Sequence, residues 1–264
     1  MKLVRTVTLS NDRLLLCYDS GIGMVVDGRD ISQTTKLCLG NGIKDPEITN
    51  LIVELASTRR VCVDIGATFG YVTLLMAQNC LKPGKVFSFE PHPANFQLLK
   101  HSVEINGFDK YCKVYPSALG AVTGAKAKLY IHRRRFECAT LSEVARKSYG
   151  LTDTHPRKDD EFLVLLSLDD IMAQNRCEPD LIYLSAEGYE HEVWAGMRKL
   201  LMAKKSMTIL LDFKPKWYCN LEKFASDIFD AGFSVSRLFS GGREIVENPE
   251  KLLPAFRSTL LLTR

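Results

Sequence analysis

The sequence predicts a doubly wound, mostly parallel α/β domain with a short N-terminal β extension. Two observations carry this. From about residue 60 onward, short apolar strands alternate with amphipathic helices, the pattern of a parallel sheet covered on both faces. Around residues 61–70, a strand ends in an acid and a glycine turn and opens at once into a helix. Composition agrees: apolar residues make up 46% of the chain and charged residues 25%, enough to fill a full core. A chain of 264 residues is long for one domain but within the range of α/β domains with additions.

Residues 1–40 alternate apolar and polar positions between Gly and Asp turns, which predicts short antiparallel strands ahead of a main domain at 41–264. Asp45-Pro46-Glu47 opens a helix running to about Ala56, with Asp45 as N-cap and Pro46 in the first helical position. Val61–Ile65 reads as a strand, 70–79 as a helix, Lys85–Glu90 as a strand, and Pro93–Asn106 as a helix closed by Gly107. Cys112–Tyr115 is a third strand, 126–141 a β-ribbon with a basic tip, and Phe162–Leu168 another extended run. Leu181–Leu184 precedes a helix carrying Val193, Met197, Leu200 and Leu201 at helical spacing. Thr208–Asp212 is a strand and Leu221–Ala231 a helix. Phe233–Phe239 and Thr259–Leu262 close the chain as two antiparallel strands with no helix between them.

The charge balance, 35 basic against 31 acidic residues, neither demands nor excludes a nucleic-acid partner. Eight cysteines, none in a CxxC pair, argue against a zinc knuckle and for a reducing compartment without disulfides. Polar residues break every apolar stretch near the N-terminus, so neither a signal peptide nor a membrane span is expected there. The expectation is a cytoplasmic protein.

The strongest local signal is Val61-Cys62-Val63-Asp64-Ile65-Gly66-Ala67-Thr68-Phe69-Gly70. Gly66 lets the backbone turn and approach a ligand with no Cβ in the way, and the helix N-terminus beyond it offers N–H groups. This corner lies at the carboxyl end of the first parallel strand, where open α/β sheets bind ligands. The GxxxG spacing after an acid differs from the dinucleotide GxGxxG and suits the phosphate-free amino-acid end of S-adenosylmethionine. The plainer alternative is a glycine turn that packs strand on helix. Glu90, 26 residues after Asp64, ends the next strand and is placed to accept ribose hydroxyls. Its plainer alternative is a solvated strand end.

At these residues the chain resembles the FkbM-type methyltransferases. The stretches that carry the resemblance are Val63–Thr73, Phe89-Glu90-Pro91-His92-Pro93-Ala94-Asn95-Phe96 through Gly107, Ser167-Leu168-Asp169-Asp170-Ile171, and Asp180–Glu190. They occur in the family's order and the likeness extends over about 43–264. It implies a seven-stranded Rossmann-like methyltransferase sheet, S-adenosylmethionine as cofactor, and a hydroxyl acceptor on a sugar or other small scaffold. Asp64, Gly66, Ala67 and Gly70 would then line the methionine part of the donor and Glu90 its ribose. Ser117 and Ala118, after the third strand, would lie on the adenine side.

The chain departs from the family pattern in one informative place. Where the family reads Lys-Ile-Asp-Val-Glu-Gly, this chain reads Tyr183-Leu184-Ser185-Ala186-Glu187-Gly188. Serine cannot act as a carboxylate base and is a poor ligand for a hard cation, so no metal is expected. Thr68 replaces the family asparagine. Glu187 and His191 become the candidates for proton removal, with Glu190 and Asp212 nearby in the pattern. The plainer readings are a helix start for Glu187 and a surface helix position for His191. His92 reads as a helix cap, and His101 and His155 as ordinary polar positions. Trp217-Tyr218 would be an acceptor wall or plain packing.

The reading is therefore an S-adenosylmethionine-dependent O-methyltransferase acting on a carbohydrate-like or other small hydroxylated acceptor. Two alternatives stand beside it. An RNA methyltransferase would use the basic stretch His132-Arg133-Arg134-Arg135, because arginine pairs well with phosphate. A solvated ribbon tip explains that stretch as well, and no Asn/Asp-Pro-Pro-aromatic signature follows the fourth strand. A cofactor-binding protein that has lost catalysis would account for Ser185.

Overall fold

The computed structural model describes residues 2–132, 135–151, 162–203, 205–254 and 256–264. The chain divides into two compact units, Met1–Pro116 with Ile131–Ala139, and Ser117–Tyr130 with Thr140–Arg264.

The first unit begins with an antiparallel sheet of β1 (Leu3–Thr8), β2 (Arg13–Tyr18) and β3 (Gly23–Asp27), in that order, as the alternating pattern predicts. Two helices follow, α1 (Gln33–Leu39), which the sequence reading lacked, and α2 (Pro46–Ala56). Asp45 caps α2 by accepting from Ile48 N. A parallel sheet is then laid down as β4 (Val61–Ile65), α3 (Tyr71–Asn79), β5 (Lys85–Phe89), α4 (Pro93–Ile105) and β6 (Cys112–Tyr115). β5 lies between β4 and β6. Strands buried on both faces read as continuous apolar runs, and Cys62, Val63, Phe87 and Phe89 are all enclosed.

α4 ties the N-terminal sheet to this core. Ser102 Oγ accepts from Val25 N at 2.9 Å, and the Asn106 amide bonds both the N–H and the carbonyl of Gly23. His92 caps α4, its Nδ1 accepting from Ala94 N and Asn95 N.

The second unit contains β7 (Lys126–Lys128), α5 (Glu143–Ser148), β8 (Phe162–Val164) and α6 (Leu168–Asn175). Among the described residues, the ribbon expected over 126–141 is represented by the antiparallel Tyr130–Thr140 bridge, while β7 pairs with β8. Next come β9 (Leu181–Leu184), α7 (Glu190–Ala195), α8 (Arg198–Met202), β10 (Thr208–Phe213) and α9 (Leu221–Asp230). The single helix expected after β9 is broken at Gly196. A Cβ there would lie 2.0 Å from the Gly120 carbonyl oxygen, so the close approach admits only glycine.

The unit ends with β11 (Ser234–Phe239), β12 (Gly242–Val246) and β13 (Ser258–Thr263). β9 pairs parallel with β10, while β13 runs antiparallel between β10 and β11. β12 is a hairpin strand on the far side of β11, and a 3-10 turn over Pro249–Leu252 follows it. Neither belongs to the sequence expectation, because their residues are largely exposed and carry no buried pattern. Among the described residues, no helix is long and apolar enough to cross a membrane.

Candidate functional site

In the first unit, the turn after β4 is held by its own backbone. The N–H groups of Gly66 and Ala67 both donate to the Phe89 carbonyl at 3.0 Å, and Gly70 N donates to the Ala67 carbonyl. Thr68 N donates to Glu90 Oε2 at 2.7 Å. Gly66, Thr68 and Gly70 all have positive φ. At Gly70 a Cβ would also meet Leu99 Cδ1 at 2.8 Å. These bonds commit the N–H groups of Gly66, Ala67, Thr68 and Gly70 within the turn. The turn keeps carbonyl and carboxylate acceptors, which suit a cationic ligand.

Asp64 lies beneath this turn, fully buried. Its Oδ2 accepts the Thr73 hydroxyl at 2.6 Å, and Thr73 Oγ1 also lies 2.9 Å from Ser88 Oγ. Its Oδ1 has no hydrogen-bond partner, an orphaned acceptor that a ligand cation would satisfy. Glu90 is 4% exposed rather than a solvated strand end, and its Oε1 accepts from His92 N at 2.8 Å. Burial pushes the Asp64 carboxyl up to about 6 and that of Glu90 up to about 8, against the lowering effect of their hydrogen bonds. Asp64, Gly66, Ala67, Gly70 and Glu90 thus share one corner of the first unit. Ser117 and Ala118 follow β6 and begin the second unit, where the Ala118 carbonyl accepts from Leu166 N.

In the second unit, the loop after β9 presents Glu187 from a left-handed residue, φ 49°, ahead of Gly188 at φ 92°. Three bonds hold that turn: Thr140 Oγ1 donates to the Glu187 carbonyl at 2.6 Å, and Glu190 accepts from Ala186 N and Gly188 N. Glu187 is therefore not the start of α7. Its carboxylate receives the Lys214 ammonium at 2.7 Å and the Tyr149 hydroxyl. Glu190 is fully buried, and burial pushes its carboxyl up to about 7.

Ser185, at the end of β9, donates to Asp212 Oδ2 at 3.1 Å. Asp212 also receives Lys214 at 2.9 Å and Arg257 at 3.0 Å. Burial works to raise the Asp212 carboxyl, but the charges of Lys214 and Arg257 outweigh it and hold the group well below the usual range. The same logic holds Lys214 charged: burial opposes the ammonium, and Glu187 and Asp212 overcome it.

His191 is half-buried among the rings of Tyr189, Tyr218 and Phe224, not on an open helix surface. Burial lowers its pKa, which Glu192 offsets in part, and its Nδ1 has no partner. Tyr218 is enclosed, its hydroxyl accepting from Lys214 N, while Trp217 stands beneath the Lys214 ammonium at 4.9 Å. Packing thus explains Tyr218. Lys214, Arg257 and Tyr149 escaped the sequence reading; its one legible hint was a lysine two residues after the acid that ends an apolar strand. Arg133, Arg134 and His155 lie outside the described residues. Among the described residues, no group of three or more His, Cys, Asp or Glu is arranged to hold a metal ion.

A sequence model described as the methyltransferase FkbM domain matches residues 64–233. The chain belongs to that family and is an S-adenosylmethionine-dependent methyltransferase. No curated protein matches the chain. Solved structures that resemble it include a methyltransferase from Geobacter sulfurreducens, at 12% identity over 88% of this chain and 85% of that one, TM-score 0.48. A methyltransferase FkbM from Methylobacillus flagellatus matches at 12% identity over 90% of this chain and 55% of that one, TM-score 0.47. An O-methyltransferase from Bacillus cereus in complex with SAH matches at 13% identity over 89% of this chain and 83% of that one, TM-score 0.47.

Proposed function

We propose that this methyltransferase acts on a hydroxyl of a carbohydrate-like or other small hydroxylated acceptor, with Glu187 taking the proton. The observation that carries the reading is the Glu187 carboxylate itself. It is fixed by a left-handed turn, and Lys214 and Tyr149 hold it in one orientation. A positioned carboxylate is a base for an alcohol. The loop that presents it lacks the Asn/Asp-Pro-Pro-aromatic residues of methyltransferases that act on amino groups of bases. His191 is the second candidate; its lowered pKa leaves a neutral imidazole, but one enclosed by aromatic rings.

The methionine and ribose parts of the donor fall to the first unit in this reading. S-adenosylmethionine supplies the activated methyl group when bound. Gly66, Ala67 and Gly70 shape the turn for its methionine end, and Asp64 Oδ1 is the acceptor for its ammonium group. Glu90 accepts from the ribose hydroxyls beside the backbone donors Thr68 N and His92 N and the Asn95 side chain. Ser117 and Ala118 are assigned to the adenine side. In-line displacement at a sulfonium gains much of its rate from placement, so a modest base suffices. The eight free thiols support a cytoplasmic setting.

The test is methyl transfer from labelled donor to a panel of glycans and small polyols, with mass spectrometry locating the methyl group. Transfer to oxygen, lost in Glu187→Gln with donor affinity kept, supports the reading. Transfer to an amino group, or to RNA alone, overturns it.

A further inference from the structure

Lys214 does more than orient Glu187: its side chain is only 3% exposed and its charge is shared between two carboxylates. The ammonium reaches Glu187 Oε1 at 2.7 Å and Asp212 Oδ2 at 2.9 Å. Both are charge-assisted contacts at close range. That same Asp212 oxygen also receives Ser185 Oγ and Arg257 Nη2, three donors on an atom with two lone pairs. The remaining Asp212 oxygen accepts Arg257 Nε at 3.3 Å.

We propose that Lys214 is a built-in cation, which takes the place in this acidic cluster that a divalent ion would otherwise occupy and so positions Glu187. The second half rests on the proposed role of Glu187; the first half stands without it. Hard divalent cations bind where carboxylate oxygens have uncommitted lone pairs and surplus negative charge. Here the carboxylates of Glu187 and Asp212 face two cations, Lys214 and Arg257, while the third carboxyl nearby, Glu190, is committed to Ala186 N and Gly188 N and pushed by burial towards its neutral form. An entering ion would have to displace a buried ammonium and leave it unpaired. Ser185 belongs to the same arrangement. Its hydroxyl donates to Asp212, whereas a carboxylate at that position would oppose Asp212 with like charge and call for a further cation.

The experiment measures Mn2+ binding by paramagnetic resonance on the full chain, for the wild type, Lys214→Arg, Lys214→Met, and Lys214→Met combined with Ser185→Asp. The expected result is no Asp212-dependent site in the wild type or Lys214→Arg. Lys214→Met should gain a site, and the double variant should bind at least about tenfold more tightly than Lys214→Met. Lys214→Gln, which keeps a donor for one carboxylate, repeats the comparison if the methionine variants do not fold, as judged by circular dichroism. Mn2+ binding by the wild type that disappears in Asp212→Asn overturns the proposal. So does the failure of every folded neutral variant to gain a site. Ion binding is read without any acceptor, so failure here is separable from failure of the hydroxyl-transfer reading, which the glycan assay decides.

Discussion

Replacing Glu90 by glutamine separates the proposed ribose contact from the turn that Glu90 braces. With its carboxyl pushed up to about 8, only ~1 in 100 Glu90 side chains is ionised at pH 6. The proposed contact needs the carboxylate as a double acceptor. Donor-side affinity should therefore rise about tenfold per pH unit from pH 6 and level off above about 8, a total near ~100-fold. Methylthioadenosine is the right probe, because it keeps the ribose and has no amino-acid group to titrate. In Glu90→Gln the pH dependence should vanish, with affinity about 1–3 kcal/mol below the wild-type plateau.

Stability moves the other way in the wild type. A carboxyl whose folded pKa is raised favours its neutral form, so stability is present at low pH and lost as pH climbs from about 4.5 through about 8. The ceiling on that loss is about 5 kcal/mol. Asp64, raised to about 6, acts in the same direction over the lower part of the window. Glutamine removes the Glu90 contribution but offers one oxygen to two N–H donors, Thr68 and His92, a pH-independent cost of about 1–3 kcal/mol. Isothermal calorimetry and urea melts from pH 6 to 8.5 read both effects. Wild-type affinity for methylthioadenosine that changes less than about twofold over pH 6–8 would refute the ribose assignment.

Other perturbations have clear expected outcomes. Glu187→Gln should lower the methylation rate by about 10²–10⁴-fold with donor affinity unchanged, measured by single-turnover transfer. Asp212→Ala strips one carboxylate from the buried Lys214 ammonium and the ion-pair partner from Arg257, and should cost about 3–5 kcal/mol in urea melts. Gly196→Ala drives a methyl group into the Gly120 carbonyl and should destabilise by more than about 2 kcal/mol, whereas an unchanged melting temperature would show that the two loops separate readily.

The corner proposed to hold the donor was legible in the sequence because its parts are local. A strand, an acid and a turn with positive-φ glycines lie within ten residues, and backbone sterics allow few alternatives there. Asp45, Pro46 and His92 announced their helix starts for the same reason. Glu90 was found by its strand-end position, but its burial and its bonds to Thr68 N and His92 N arise only when β4 and β5 pair. The second unit's cluster was beyond local reading. Ser185, Glu187, Asp212, Lys214 and Arg257 come from three separate stretches, and no periodicity marks a lysine destined for burial. Only tertiary packing removes Lys214 from water, and that desolvation makes its pairing with Glu187 and Asp212 decisive. Sequence determined the family, the cofactor and the strand–turn–helix at Val61–Gly70 that is proposed to receive it. The tertiary structure decided which charges meet, because charge pairing depends on distance in space and on burial, neither of which the order of residues records.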